Sequence, residues 1–292
     1  MRRPFVCPGV GLLGDDRFVP TRDGRWLRTM VAGPAAGASG VSEASSASGA
    51  GGTWGGLADL VDVVRAFPHR RLVLVGHSWG GPIVRRAAQI LLDDAHAAAR
   101  SGSAGSGERG DDASRDDRGV TGVVLVDPTD ENADLYFHRS TAVTMRLNRF
   151  LLVGMARFGL LRPLLHRMGE GLPTAVRDAA AQAGATAEAA AASAAELSGF
   201  LSDVRDLREA GWQPQHVPVR LVSGVRPGPR EGATRDALIA AHRTTARDNL
   251  RVELVEATAS SHLVPLTEPE VVVGQVRDLL GAARREEDPR EH

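Results

Sequence analysis

Lysine is missing altogether: all 35 basic residues are arginine. With so much alanine and glycine, that reads as the codon bias of a GC-rich genome rather than as chemistry. The single cysteine, Cys7, excludes an internal disulfide framework and fits a reducing compartment, so a cytoplasmic location is expected. No uncharged apolar run approaches membrane-spanning length, so no stable membrane insertion is expected. The start, MRRPFVCPGVGLLG, carries two arginines but no sustained apolar stretch of the secretory kind. Neither charge sign dominates; at a formal net charge of −1 nothing suggests nucleic acid or an anionic surface as the main partner. No His/Cys ligand cluster and no phosphate-cradling loop occurs, so neither a metal nor a cofactor is implied. What remains is ample: 292 residues, 42% of them hydrophobic, can bury a full core.

The informative stretch is residues 71–82, RLVLVGHSWGGP. Leu72, Val73, Leu74 and Val75 form a β-rich apolar run too short for a helix and closed by Gly76. Gly76-His77-Ser78-Trp79-Gly80 then matches G-x-S-x-G. Helical spacing follows in Ile83, Val84, Ala87, Ile90 and Leu91. A serine on a sharp strand-to-helix turn needs small neighbours, which Gly76 and Gly80 provide. Such a turn lifts the hydroxyl above the sheet and aims the Trp79 backbone N–H at a bound carbonyl. Ser78 is therefore the candidate nucleophile and Trp79 a candidate oxyanion donor. An ordinary glycine-rich turn is the plain alternative.

Strand and helix patterns alternate along the chain. Residues 17–20 and 25–31 read as a hairpin with Asp23-Gly24 in its turn. A short strand is expected at 41–44. Leu57, Leu60, Val61, Val64 and Phe67 keep helical spacing. Residues 97–119 are charged, Gly/Ser-rich and expected to be a disordered insertion. A buried strand follows at 120–126, ending at Asp127-Pro128. Residues 132–216 are helical in pattern, and 145–168 set Leu147, Phe150, Leu151, Met155, Phe158, Leu161 and Leu164 among five arginines. That face is expected to pack over a pocket, with docking on a lipid surface as the alternative. Leu197, Phe200, Leu201, Val204 and Leu207 form a packed stripe that stops at Gly211. Strands at 217–223 and 251–256 bracket a helix at 234–249. A closing helix is expected over 268–281, and residues 284–292 are a charged tail.

This order, together with VLVGHSWGGP, GVVLVDPTDE (122–131) and SSHLVPLTEPEVV (260–272), resembles the α/β-hydrolase superfamily over most of the chain. The resemblance implies an α/β fold with a mostly parallel central sheet flanked by helices, carrying an inserted helical cap. The implied core is residues 1–131 and 217–283, and the cap 132–216. His262 lies after the final strand, where the family carries its catalytic histidine. The implied roles are Ser78 as nucleophile, His262 as general base and a carboxylate that orients the imidazole.

Most members place that acid after the strand following the cap. Here the loop offers Glu231 first, whereas Asp127 ends the preceding core strand, as in one group of haloalkane dehalogenases. Asp127 is the preferred acid, with Glu231, Asp236, Asp130 and Glu131 as alternatives; capping a turn before Pro128 is its plain structural use. Trp79 is similar to the tryptophan after the dehalogenase nucleophile, but serine at position 78 points to acyl chemistry.

Family members also place two further strands and a helix between the first hairpin and the elbow helix. Here there is room for one βαβ unit of ~30 residues, so a shortened sheet is expected. The second oxyanion donor then falls to the Ser/Gly-rich segment beginning at Ser45. His77, Trp79, Phe150, Met155 and Leu263 are expected to contact substrate. The implied function is a cofactor-free serine hydrolase for a small hydrophobic ester, lactone or amide. The alternative is a truncated, weak or inactive hydrolase fold serving as a binding module.

Overall fold

The computed structural model describes residues 15–20, 26–32, 41–44, 54–67, 69, 71–102, 119–169, 174–212, 217–227 and 232–287. The chain opens with β1 (Asp15–Pro20), β2 (Trp26–Ala32) and β3 (Val41–Ala44), an antiparallel sheet in that order. Pro20 stands opposite Trp26, as the expected hairpin requires; its turn residues lie outside the described ones. Helix α1 (Gly55–Ala66) follows and rests against β1 and β3.

A second sheet holds β4 (Arg71–His77), β5 (Gly119–Val126), β6 (Val219–Gly224) and β7 (Val252–Ala257), all parallel and in sequential order. Parallel neighbours need crossovers. These are α2 (Gly80–Gly102) between β4 and β5, and α7 (Gly232–Asp248) between β6 and β7. The third, between β5 and β6, is long: α3 (Arg139–Arg157), α4 (Leu161–Met168), α5 (Thr174–Gly184) and α6 (Ala187–Ala210). The chain closes with α8 (Val264–Thr267) and α9 (Pro269–Glu287). Among the described residues β3 pairs only with β2, and no ladder joins it to β4. The shortening expected before the elbow is there.

Strand β5 shows why the sheet is central. Val123 and Leu125 pack with Val61, Val64, Val84 and Ala87 of α1 and α2, whereas Val124 and Val126 pack with Val264 and Leu279 on the opposite face. Period-two alternation with both faces covered gives a continuous apolar run and a three-layer α/β sandwich.

Three expectations need correcting. Helix α2 continues through residue 102, because the alanine-rich 95–99 stretch carries helix propensity past the point where charge and Gly/Ser content rise; residues 103–118 lie outside the described ones. Helix α9 reaches Glu287, so the first four residues of the charged tail are helical; arginine and glutamate are good helix formers. The apolar face of 145–168 does not pack as a whole. Leu161 is buried, but α3 has no buried residue, and Leu147, Phe150, Leu151, Phe158 and Leu164 are exposed. The reason is geometric: α3 lies on α6, whose buried side chains are mainly alanine, so only one side of α3 is covered.

Candidate active site

Two adjacent strands end in the same unusual way. Ser78, one residue past β4, has φ 55°, and Asp127, one residue past β5, has φ 41°. Non-glycine residues in this left-handed region cost about 1–3 kcal/mol each and persist only where the surroundings hold them. Here the ladder extends by one rung to do so. Ser78 N–H donates to Val126 O at 3.1 Å and Asp127 N–H to Val222 O at 2.7 Å. Ser78 O in turn accepts from Gly81 N and Thr129 N, both at 3.0 Å, tying the two corners together.

The glycine requirement differs in part from the expected one. A Cβ at Gly76 would lie 2.2 Å from Gly80 O, so Gly76 is needed for the close approach. At Gly80 a Cβ would meet nothing within 4 Å, whereas at Gly81 it would lie 2.6 Å from Pro128 Cβ. The second tight position is Gly81, because the β5 corner packs on the first turn of α2.

Asp127 is buried and receives four hydrogen bonds. His262 Nδ1 donates to Oδ2 at 2.7 Å, Arg235 Nη1 and Nη2 donate to Oδ2 and Oδ1 at 2.7 Å each, and Gly224 N donates to Oδ1 at 3.0 Å. Burial raises its pKa, but the bonds from His262 and Arg235 outweigh that and hold it below the ordinary carboxylate value. An ionised Asp127 only accepts, so His262 Nδ1 is the donor, and the tautomer this selects carries its lone pair on Nε2.

His77 braces the same loop from below. Its Nε2–H donates to His262 O at 2.8 Å, its ring lies 4.6 Å from the His262 ring, and burial lowers its pKa. Gly224 admits the loop closely: a Cβ there would lie 1.8 Å from Ser261 O.

Helix α7 clamps the β5 corner from the other side. His242 is fully buried; Nε2 donates to Pro128 O at 2.9 Å and Nδ1 meets Ser223 Oγ at 2.7 Å. Burial keeps its pKa below the ordinary value. A neutral ring with Nε2 protonated therefore accepts the Ser223 hydroxyl proton at Nδ1. One turn on, Thr245 Oγ1 donates to Asp130 Oδ2 at 2.6 Å. Arg85 of α2 forms a fork on Glu131 at 2.8 and 2.6 Å, and burial notwithstanding, Arg85 holds that carboxyl below its ordinary pKa.

Two of the alternatives to Asp127 are thus otherwise engaged. Asp130 is held by Thr245, Glu131 by Arg85, Asp236 faces solvent, and Glu231 lies outside the described residues.

The aromatic wall at the elbow consists of residues from four parts of the chain. Trp79 packs 5.3 Å from Trp54 and 5.0 Å from Phe200 of α6, and Tyr136 meets Phe200 edge-on at 5.5 Å. Burial pushes the Tyr136 hydroxyl up to about 12. Among the residues expected to contact substrate, His77 and Trp79 flank Ser78, and half-exposed Leu263 follows His262. Met155 is half-buried on α3, and Phe150 points to solvent. The aromatic ring that α6 brings to Trp79 is Phe200. Ser45, the expected second oxyanion donor, lies outside the described residues. Among the described residues no group of three His, Cys, Asp or Glu side chains could hold a metal ion.

The sequence pattern of the alpha/beta hydrolase family matches residues 5–275. The chain belongs to that family. No curated protein matches it by sequence. Among solved structures it is similar to a candidate acyltransferase from Salmonella enterica (TM-score 0.64, 15% identity, 92% of this chain and 95% of that one). It is similar also to an esterase from Exiguobacterium antarcticum (TM-score 0.57, 12% identity, 91% and 98%) and to an esterase from a Rhodococcus species (TM-score 0.52, 16% identity, 92% and 99%). At these identities the likeness establishes the fold. The four-stranded parallel sheet of the described residues is shorter than the eight strands of the full family fold.

Proposed function

We propose that this protein is a serine hydrolase that cleaves a small hydrophobic ester, lactone or amide through an acyl-enzyme on Ser78. The observation that carries the reading is the 2.7 Å bond from His262 Nδ1 to Asp127 Oδ2, made across 135 residues of sequence beside the strained Ser78 turn. It leaves His262 Nε2 as the base that takes the Ser78 hydroxyl proton as Oγ attacks the acyl carbon. The same nitrogen returns the proton to the leaving alcohol or amine, and water repeats the cycle to release the acid. The Trp79 backbone N–H supplies one donor to the tetrahedral oxyanion. Helices α3–α6 act as a cap, and Trp54, Trp79 and Phe200 give it an apolar wall suited to a hydrophobic acyl or alcohol group.

Arg235 shapes the acid's contribution. The Asp127–Arg235 pair is formally neutral, so it stabilises the imidazolium less than an unpaired carboxylate would. Asp127 then acts chiefly by fixing the tautomer and orientation of His262.

Fluorophosphonate labelling of the purified protein, read by mass spectrometry, tests this. Stoichiometric label on Ser78, lost in Ser78→Ala and strongly slowed in His262→Ala, is the expected result. A folded protein that takes no label overturns the hydrolase reading and leaves a binding module on a shortened sheet.

A further inference from the structure

The segment between Asp134 and Glu170 contains six arginines and no acidic residue, in a chain whose net charge is −1. It comprises α3 and α4. Along α3, Val143, Leu147 and Phe150 follow at i, i+4 and i+7, a single helical face, and Phe158 extends that face at the helix end. This face is turned outward: Phe150 is 67% and Phe158 81% exposed. A second exposed stripe, Leu160, Leu164 and Met168, runs at i, i+4 and i+8 along α4 and the residue before it. By the same helical spacing Arg139, Arg146 and Arg157 line one edge of the α3 stripe. None of the six arginines pairs with a carboxylate among the described residues.

Soluble monomers rarely leave so much apolar surface contiguous without a use. The charge decides which use. Pairing this face with its own copy would set six cations against six, with no acid in either segment to separate them. An apolar stripe edged by cations is instead the signature of a helix that lies in the plane of a membrane interface. No described helix is long and apolar enough to cross a membrane.

We propose that the α3–α4 face docks the protein peripherally on an anionic lipid surface. Phe158 and the Leu147 stripe enter the headgroup–acyl boundary, and the arginines neutralise lipid phosphates. The docking stands whether or not Ser78 is reactive, since none of these side chains belongs to the Ser78–His262–Asp127 cluster.

Co-sedimentation of the full chain tests it, with vesicles of phosphatidylcholine alone and of equal parts phosphatidylcholine and phosphatidylglycerol. The protein should sediment with the anionic vesicles, be released as salt is raised, and stay in solution with phosphatidylcholine alone. The pair Arg146→Gln and Arg157→Gln should weaken partitioning about thirty-fold. Leu147→Ser with Phe158→Ser should weaken it about tenfold for each residue. Unchanged thermal midpoints in both pairs show that the fold is intact. Failure of the folded wild type to bind anionic vesicles overturns the proposal, as does binding that survives both pairs. So does self-association in solution that Leu147→Ser with Phe158→Ser abolishes, which assigns the face to a second copy.

Discussion

Arginine serves opposite ends in two regions of this molecule. At the end of β5, Arg235 grips Asp127, Arg85 grips Glu131 while stacking on Trp212, and Arg208 reaches Glu131 O while stacking on Phe137. On α3 and α4, six arginines stand beside exposed apolar side chains without a carboxylate among the described residues. Nothing in the residue type separates the two groups. The difference is whether the fold delivers a fixed acceptor. Burying a guanidinium costs several kcal/mol unless its hydrogen bonds are met, so the β5 corner is committed to one arrangement. An exposed guanidinium is held in place by very little, so the α3–α4 face can change without disturbing the core.

The largest effect should come from breaking the committed side at its centre. In Asp127→Asn, Arg235 Nη2 and Gly224 N hold the amide oxygen, so the amide N–H₂ takes the place of Oδ2 and faces His262 and Arg235 Nη1. His262 Nδ1 must then accept, the ring proton moves to Nε2, and the base is lost. Ester hydrolysis should drop by on the order of 10⁴-fold with the circular dichroism spectrum retained. A smaller loss would show that Asp127 holds the turn rather than the histidine. Arg235→Met should come next: it leaves the buried Asp127 carboxylate with only His262 and the Gly224 N–H as donors and should cost about 3–5 kcal/mol in denaturant unfolding. Arg235→Lys, able to make a point contact but not the fork, should fall between wild type and Met.

How much of this contrast was legible in the sequence depends on the kind of signal. The elbow, the Asp127 corner and the His262 loop were legible because each combines a strand end with a local motif. Pairwise geometry was not. Arg235, His242 and Thr245 fall at i, i+7 and i+10 on α7, a spacing that reads equally as a solvated polar face; only the β5 corner lying beneath turns it into a buried clamp. The converse error befell 145–168. Its apolar periodicity was real, but periodicity says which side chains share a face and not whether anything covers it. Phe200 fitted the packed stripe of α6, and its meeting with Trp79 depends on how α6 crosses the elbow.

The clamp can also be loosened by pH. His77 and His242 both have folded pKa values lowered by burial, so as pH falls the unfolded chain takes up these protons first. Their stabilisation is complete above about pH 6.5 and declines below it. Asp127 and Glu131, also lowered, matter only in the more acidic carboxylate range, so the window between about pH 6.5 and 5 isolates the histidines. His242→Gln should cost about 1–3 kcal/mol at neutral pH through its unmet bonds to Pro128 and Ser223. It should also flatten the stability profile across that window. A slope identical to wild type would place the proton uptake at His77.

The smallest expected effect is the one that most sharpens the contrast. Arg157→Gln, and separately Phe158→Ser, should leave the unfolding free energy within about 0.5 kcal/mol of wild type, because neither side chain satisfies a buried partner or fills a cavity. Hydrolysis of a short-chain, water-soluble ester should be unaffected for the same reason. A loss of several kcal/mol from either change would mean that the α3–α4 face is packed in solution. Its arginines would then belong with those of the β5 corner, and the division between a committed and an uncommitted region would fail at the surface rather than in the core.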